Sequence, residues 1–376
     1  MAPENGRRGI NNILVLEPFF GGSHAAWLRG LQNHCSDNVQ WLRLPASHWK
    51  WRMHGAAVSF ARKFQELDTR PDFLLATDML DLATFLGLAG EAVRDIPVSV
   101  YFHENQLTYP KSEQDTDHLA QRDNHYGFIN YTSALAADEV LFNSNYHQRT
   151  FLEALQVMLE RLPDHREKAN VAHIAAKSRV VPLQLDLKQL DAKKARVPNK
   201  VPLILWNHRW EHDKNPQAFF ECLFRLQMEG LDFEVVLLGE RHQRWPAIFD
   251  EAQERLKGRI VQFGPVASRK EYAAWLHRAD VLPVTSQQDF FGISLVEALY
   301  CEVYPLLPNR LVFPEHLPQE LHQTHLYHTN NELFEKLKAL LRVPSTLQKA
   351  SFKHLAEPYA WKAEPLPWLT LMGRLL

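Results

Sequence analysis

The chain has 376 residues, 45% of them hydrophobic and 23% charged, with a formal net charge of −2. That length suits two domains, and that composition fills two sizeable cores, which excludes a disordered or low-complexity chain. The near-neutral balance excludes a uniformly basic nucleic-acid binder, so an RNA partner would have to meet a local basic face.

No run of about eighteen apolar residues occurs, and Met1–Asn12 is polar and basic; neither a membrane span nor a signal peptide is expected. The 3 cysteines (Cys35, Cys222, Cys301) and the 19 histidines show no metal-ligand spacing. A reduced, cytoplasmic protein without a metal site is the expectation.

Ile13–Leu16 reads as a buried strand that runs into Glu17-Pro-Phe-Phe-Gly-Gly-Ser-His24 and then a helix-like stretch, Ala25–Asn33. Gly21 and Gly22 fit a tight strand-to-helix turn, with Ser23 as its N-cap. A glycine pair of this kind recurs in many strand–helix units and is weak evidence by itself. Ser47-His-Trp-Lys-Trp-Arg-Met-His54 interleaves Trp49 and Trp51 with Lys50 and Arg52, ahead of a helix-like run Ala56–Leu67 that contains Arg62 and Lys63. Flat rings beside cations suit stacking on splayed bases and contact with phosphates. The plain alternative is tryptophans in a core and cations in solvent.

Pro97–Phe102 reads as a strand ending in His103-Glu-Asn-Gln-Leu-Thr-Tyr-Pro110, a polar cluster that is either a site or a turn. Phe-Asn-Ser-Asn-Tyr-His follows at 142–147. Ser178–Leu183 reads as the last strand of this half. Asp186–Lys200, with Lys188, Lys193, Lys194, Arg196 and Lys200, reads as a solvated linker.

Alternation of strands and helices restarts with Leu203–Trp206, then Phe233–Leu238, Ile260–Phe263, Val281–Val284 and Val303–Leu307. This order implies parallel sheets. The first strand leads to Asn207-His-Arg-Trp-Glu-His-Asp-Lys214, in which Arg209 and Lys214 precede a helix near Pro216. Two cations there can neutralise a diphosphate, one as a fork and one as a point charge. Gly239-Glu-Arg-His242 and the Val266 region end further strands. Ser268 and Glu271 form a capping box.

Asp289-Phe-Phe-Gly-Ile-Ser-Leu-Val-Glu297 links the Val281–Val284 strand to a helix. Gly292 lets the backbone approach a ligand. The amides from Gly292 to Leu295 open that helix and suit a diphosphate. Asp289 lies where a sugar can sit and Glu297 where a ribose can sit.

The last two segments together resemble the donor site of retaining glycosyltransferases of the GT-B fold, the large family that includes glycogen and sucrose synthases. The resemblance implies an α/β architecture of two Rossmann-like, doubly wound domains with a cleft between them. Residues 1–185 would form the first, with 351–376 (Tyr359, Trp361, Trp368) packing back on it, and 186–350 the second. In that family the Arg and Lys bind the donor phosphates, the first carboxylate of a Glu-x7-Glu motif contacts the transferred sugar, and the second contacts the ribose. Asp289 replaces the first Glu, one methylene shorter.

The combination of the 17–24, 102–110 and 142–147 motifs is far more specific. It is similar to the tRNA-queuosine mannosyltransferase family over roughly residues 12–342. That resemblance implies retaining transfer of mannose from GDP-mannose to the cyclopentenediol of queuosine at the wobble position of aspartate tRNA. The implied partners are that tRNA and the GDP-sugar, with no membrane and no cofactor besides the donor. His103, Arg209, Lys214 and Asp289 would surround the reacting centre. The donor would further meet Gly21, Gly22, Gly239, Val266, Phe291, Gly292, Ile293, Ser294 and Glu297. Ser23, His24, Asn105, Gln106 and Tyr109 would face the acceptor, and Trp49, Lys50, Trp51 and Arg52 the RNA. No divalent metal is expected, because Arg209 and Lys214 stand in for it. Two rivals remain from the sequence: a GT-B enzyme acting on a lipid or polysaccharide, and a non-catalytic RNA-binding protein on a transferase scaffold.

Overall fold

The computed structural model describes residues 12–34, 38–110, 124–191, 197–240, 245–348 and 351–361. These form two compact units: the described residues through Leu185 together with Trp361, and Asp186–Ala360. Strands are numbered in chain order, as are helices of eight residues or more.

The first unit is a six-stranded sheet in the order β2-β1-β3-β4-β5-β6. Its strands are β1 (Asn12–Phe20), β2 (Asn38–Pro45), β3 (Phe73–Thr77), β4 (Val98–Phe102), β5 (Glu139–Phe142) and β6 (Ser178–Val180). Every pairing is parallel. A parallel sheet is covered on both faces, so its inner strands are continuous apolar runs; β3, β4 and β5 are buried at every residue. The cover includes α1 (Gly22–His34), α2 (Trp49–Gln65), α3 (Leu82–Ala89), α4 (Asn124–Ala136), α5 (Asn145–Glu160) and α6 (Ala169–Ala176). Phe60, Phe85, Phe102, Phe142 and Phe151 form the centre of the core.

The second unit repeats the plan, with a six-stranded sheet in the order β12-β11-β10-β7-β8-β9. Its strands are β7 (Leu203–Trp206), β8 (Glu234–Leu237), β9 (Ile260–Phe263), β10 (Val281–Pro283), β11 (Tyr304–Pro308) and β12 (Leu326–Tyr327). Around them lie α7 (Pro216–Met228), α8 (Ile248–Arg255), α9 (Arg269–Arg278), α10 (Ile293–Tyr300) and α11 (Asn330–Arg342).

Both sheets reverse their strand order once. The chain leaves β1 for β2 and returns to β3 on the other side of β1. It leaves β7 for β8 and β9 and returns to β10 on the other side of β7. Crevices for ligands open at the carboxyl ends of strands at such reversals. The polar motifs lie at these places.

The chain returns to the first unit later than the expected residue 351. Tyr359 stays in the second unit, edge-on to Phe291 and His316, with ring centroids 5.2 and 5.4 Å away. Trp361 joins the first unit. Its amide donates to the Leu185 carbonyl at 3.1 Å, and its ring stacks on His34 at 5.3 Å. A Cβ at Gly30 would lie 2.3 Å from the Trp361 indole nitrogen, so the glycine makes room for that ring. Lys193, Lys194, Arg196, Arg241, His242 and Trp368 lie outside the described residues. Among the described residues no helix is long and apolar enough to cross a membrane.

Candidate functional site

At the reversal in the second unit, Lys214 follows β7 and Asp289 follows β10. The Lys214 ammonium is buried; it donates to the Gln288 carbonyl at 2.7 Å and to Asp289 at 3.1 Å, and it lies 3.1 Å from Asp213. Burial opposes the charge of Lys214, but Asp289 and Asp213 outweigh it and hold the ammonium above its ordinary pKa. Arg209 behaves differently. It is exposed, and its fork lies on Glu211 at 3.1 Å. The cations are therefore one desolvated point charge and one guanidinium at the surface.

Asn215, with φ 51°, caps α7 by accepting from the Ala218 amide at 3.3 Å. Trp206 and Trp210 fasten the intervening loop through their indole N–H groups, to the carbonyls of His208 (3.0 Å) and Leu238 (2.9 Å). A Cβ at Gly239 would lie 2.0 Å from the His208 carbonyl oxygen, and Gly239 has φ 99°. This glycine was expected at the donor; the structure shows why it is a glycine, since backbone fills the place of a side chain. Val266 is half-buried in the loop after β9.

The amino end of α10 departs from expectation at one amide. Asp289 accepts from the Gly292 N–H at 3.0 Å, so that amide is occupied and the carboxylate acts as a local cap. Among the described residues no acceptor meets the Ile293, Ser294 and Leu295 amides, and these three remain for an anion. Phe291 was expected at the donor, but its ring is buried against His316 and Tyr359, and its carbonyl accepts from His316 at 2.6 Å. Glu297 is buried and already accepts from the Tyr272 hydroxyl at 2.7 Å and from Arg269. A ribose meeting Glu297 would have to share it with them.

Sequence reading gave no role to His208. Its ring is buried, with Nδ1 2.8 Å from the Ser294 hydroxyl and, among the described residues, no partner on Nε2. Burial, then the Lys214 charge, pushes it down to about 4, so it is neutral at physiological pH. It thereby fixes Ser294 beside the open amides.

The reversal in the first unit gathers residues from three strand ends. Glu17 lies in β1, Asp78 follows β3, and His103 follows β4. His24 in α1 completes the group, its Nδ1 3.1 Å from the Glu17 carboxylate and its ring stacked on His103 at 4.1 Å. His103 Nδ1 lies 3.4 Å from Asp78, too long for a good hydrogen bond. The main chain of His103 is held from both sides. Its N–H donates to Asp78 at 2.8 Å, and its carbonyl accepts from the Asn143 amide at 2.9 Å. Asn143 in turn lies 2.9 Å from His147, whose N–H donates to Ser144. The 142–147 motif thus supports the His103 loop.

Burial lowers the pKa of His24, but the charge and hydrogen bond of Glu17 outweigh it and raise the imidazole to about 9. Burial, then the charge of His24, holds His103 well below the ordinary range. The stack therefore pairs an imidazolium with a neutral imidazole. Burial raises Asp78 above the usual carboxylate range. Asp78 and Glu17 escaped sequence reading as site residues. Glu17 stood in the quoted motif, and Asp78 was legible only as the first acidic residue after the apolar run 73–76. No metal ligands were expected, yet atoms of His24, Asp78 and His103 lie within 4.8 Å of one another. Linear spacing cannot show a grouping made by three separate strand ends.

The residues expected at the acceptor and the RNA take the following places. Ser23 lies inside α1, which begins at Gly22, and is exposed rather than an N-cap. Gly22 has φ 49°, and a Cβ at Gly21 would lie 2.3 Å from the Ala46 Cβ, so both glycines serve the turn. Asn105 is buried, and its carbonyl oxygen accepts from Leu107 and Thr108 amides at 3.0 Å, shaping the loop. The Gln106 amide donates to Asn130 at 2.7 Å and its side chain to Glu104 at 3.2 Å; Tyr109 is half-buried.

The Trp49–Arg52 segment is the first turn of α2 rather than a loop before it. Trp49 packs beside Met53 and Tyr126, and Lys50 lies over the Trp49 and Tyr126 rings. Arg52 binds the Pro45 carbonyl and the Ser47 hydroxyl, both at 3.2 Å. Only Trp51 of this group projects, 65% exposed.

Two doubly wound parallel units, the second with a cation and open helix amides at its reversal, define a glycosyltransferase of the GT-B class. The glycosyl transferases group 1 family matches residues 188–351. The tRNA-queuosine alpha-mannosyltransferase N-terminal family matches residues 12–185. The tRNA-queuosine alpha-mannosyltransferase of Drosophila melanogaster is 38% identical over 352 residues, 90% of this chain and 89% of that protein. The chain belongs to the tRNA-queuosine alpha-mannosyltransferase family. Among solved structures, a sucrose-phosphate synthase from Thermosynechococcus elongatus has the same fold, with TM-score 0.70 and 16% identity over 97% of this chain and 98% of that one. Anabaena HepE, solved with UDP and glucose, gives TM-score 0.62 and 13% identity over 97% and 98%.

Proposed function

We propose that this protein transfers mannose from GDP-mannose to the cyclopentenediol of queuosine at the wobble position of aspartate tRNA, with retention, in the cytoplasm. The observation that carries the donor side is the buried Lys214 ammonium, held by Asp289, next to the open Ile293–Leu295 amides. A permanent cation and a helix amino terminus form an anion site for the diphosphate. Arg209 closes on the phosphates by leaving Glu211. Asp289 contacts the sugar and Glu297 the ribose.

In the reaction, the bond from the sugar C1 to the diphosphate oxygen breaks, and GDP leaves with the bonding pair. The acceptor hydroxyl forms its bond to C1 on the same face. Its proton passes to the departing phosphate oxygen. Lys214, Arg209 and the amides stabilise the charge that grows on that phosphate. Neutral His103 offers a hydrogen bond to the acceptor hydroxyl, and imidazolium His24 supports it.

The test is incubation of queuosine-containing tRNA with GDP-mannose, UDP-glucose or UDP-galactose in turn, followed by mass analysis of the nucleosides. A hexose added to queuosine with GDP-mannose alone is the expected result. Transfer from another donor overturns the sugar assignment, and no transfer to tRNA overturns the acceptor.

A further inference from the structure

The surface at the carboxyl end of β1 carries a basic, aromatic platform outside the 47–54 segment. The Phe19 ring meets His24 edge-on at 6.3 Å. The Phe20 ring lies instead beneath two guanidiniums, Arg43 at 4.4 Å and Arg29 at 5.1 Å. Arg43 also covers Trp41 at 4.8 Å, and Phe20 and Trp41 contact each other at 5.7 Å. The three elements are brought together by the fold: Arg29 comes from α1, Trp41 and Arg43 from β2, and Phe20 from the end of β1, where a register shift sets it opposite Pro45.

Both arginines are exposed, and both rings are half-buried. Among the described residues neither guanidinium meets a carboxylate. Arg52, Arg225, Arg259 and Arg310 share this, their guanidiniums meeting carbonyl, hydroxyl or amide oxygens instead. Arg209, Arg255, Arg269 and Arg278 all carry a carboxylate partner. A guanidinium over a ring can still offer N–H groups to phosphate oxygens. The platform adjoins Gly21, one residue before α1 and three before His24.

We propose that Phe20, Arg29, Trp41 and Arg43 form a docking surface for the RNA backbone of the tRNA, beside the nucleoside at His24 and His103. This rests on the reading of tRNA as the acceptor. Phe20 directly follows Phe19, whose ring meets His24, and Pro45, opposite Phe20, accepts from Arg52, the neighbour of exposed Trp51. A competing use of the same residues exists. Because β2 is the edge strand of its sheet, charged side chains there can serve only to block pairing with another chain.

The experiment measures binding of fluorescently labelled queuosine-containing tRNA at several salt concentrations to the full chain and to the Arg29→Ala/Arg43→Ala double variant. Melting temperature, sedimentation and the KM for the sugar nucleotide are measured alongside. The expected result is at least tenfold weaker tRNA binding at low salt. The log–log salt slope should be shallower by up to about one unit per lost contact, with donor KM and melting temperature unchanged. If the alanines unfold the protein, Arg29→Gln/Arg43→Gln keeps a polar cover on the rings and is read the same way. Unchanged affinity and slope in a folded variant overturn the proposal, and self-association of that variant assigns the arginines to edge protection. If the unaltered chain does not bind tRNA, the acceptor reading itself fails. The two failures are therefore distinguishable.

Discussion

Each sheet reverses its strand order once, after one outlying strand in the first unit and two in the second, and the two reversals differ in electrostatics. In the second unit the charges are permanent and paired: Lys214 with Asp213 and Asp289, Arg209 with Glu211, and Arg269 with Glu297. In the first unit Glu17, His24, Asp78 and His103 are all buried and all titratable. A fixed cation suits a ligand that is always an anion, whatever the pH. A cluster of histidines and carboxylates suits neutral hydroxyls, which it can meet with hydrogen bonds. The same fold position is thus specialised by the residues at three or four strand ends, and not by the sheet.

The largest effects should come from the permanent charges, and they should differ between the two cations. Lys214→Ala removes a buried ammonium and leaves Asp213 and Asp289 uncompensated. It should lose about 3 kcal/mol of transition-state stabilisation in kcat/KM and, separately, about 3 kcal/mol or more of folding stability. Arg209→Ala should lose at least about 2 kcal/mol in kcat/KM. Its melting temperature should hardly move, because its pairing is at the surface and is worth about 0–1 kcal/mol. Steady-state kinetics beside melting curves separate the two. Near-normal kcat/KM in both variants would remove the pair from the donor site.

The paired cations also show what sequence can carry. Arg209, Lys214, Asp289 and Glu297 lie within two short motifs, each following an apolar strand, so local spacing made them visible. The parallel sheets followed from the alternation of strands and helices. Asp78 has no such local signal, since its role comes from β3 lying between β1 and β4. His208 stood in a quoted motif, but only the structure shows its ring buried on Ser294. Asn105 and Phe291 matched the expected type of residue, yet the backbone directs them into loop bonds and packing. The 49–52 segment is a different case. An aromatic–basic alternation looks the same whether it is a loop or a helix turn, and in α2 it sends Trp49 inward and Trp51 outward.

The titratable cluster predicts a pH dependence above 6.5, whereas His208 of the second unit, lowered to about 4, acts below it. His24 is raised from about 6.5 to about 9. Its charge therefore stabilises the fold fully below pH 6.5, and that contribution disappears as pH rises through about 9, by at most on the order of 3 kcal/mol. Burial raises Glu17, but the charge and hydrogen bond of His24, with His103 and the Phe19 amide, outweigh it and lower the carboxyl, so its share is lost as pH falls. Glu17, Asp78, Glu104 and His103 all face this titration. The melting temperature of the intact protein should drop between pH 6.5 and 9, and His24→Asn should flatten that slope while lowering stability near pH 7. A variant with an unaltered slope would assign the titration elsewhere.

The smallest expected effect is none at all, on chelating divalent metal. On the proposed reading, Lys214, Arg209 and the Ile293–Leu295 amides of the second unit supply the positive charge that meets the departing diphosphate, and no metal is expected to be required. In the first unit His24, Asp78 and His103 offer three ligand atoms within 4.8 Å of one another. A metal there must compete with a proton, because the Glu17 carboxylate keeps the His24 ring charged and an imidazolium cannot ligate. Occupancy should consequently rise only as His24 loses its proton in alkaline solution. Transfer rates measured near pH 7 with EDTA, and again after adding Mg²⁺, Mn²⁺ or Zn²⁺, should coincide, apart from inhibition by Zn²⁺ at higher pH. Loss of transfer in EDTA with recovery on Mg²⁺ would break the comparison at its root. The permanent cations of the second unit would then be insufficient, and the histidine cluster of the first would be the place to look for the missing charge.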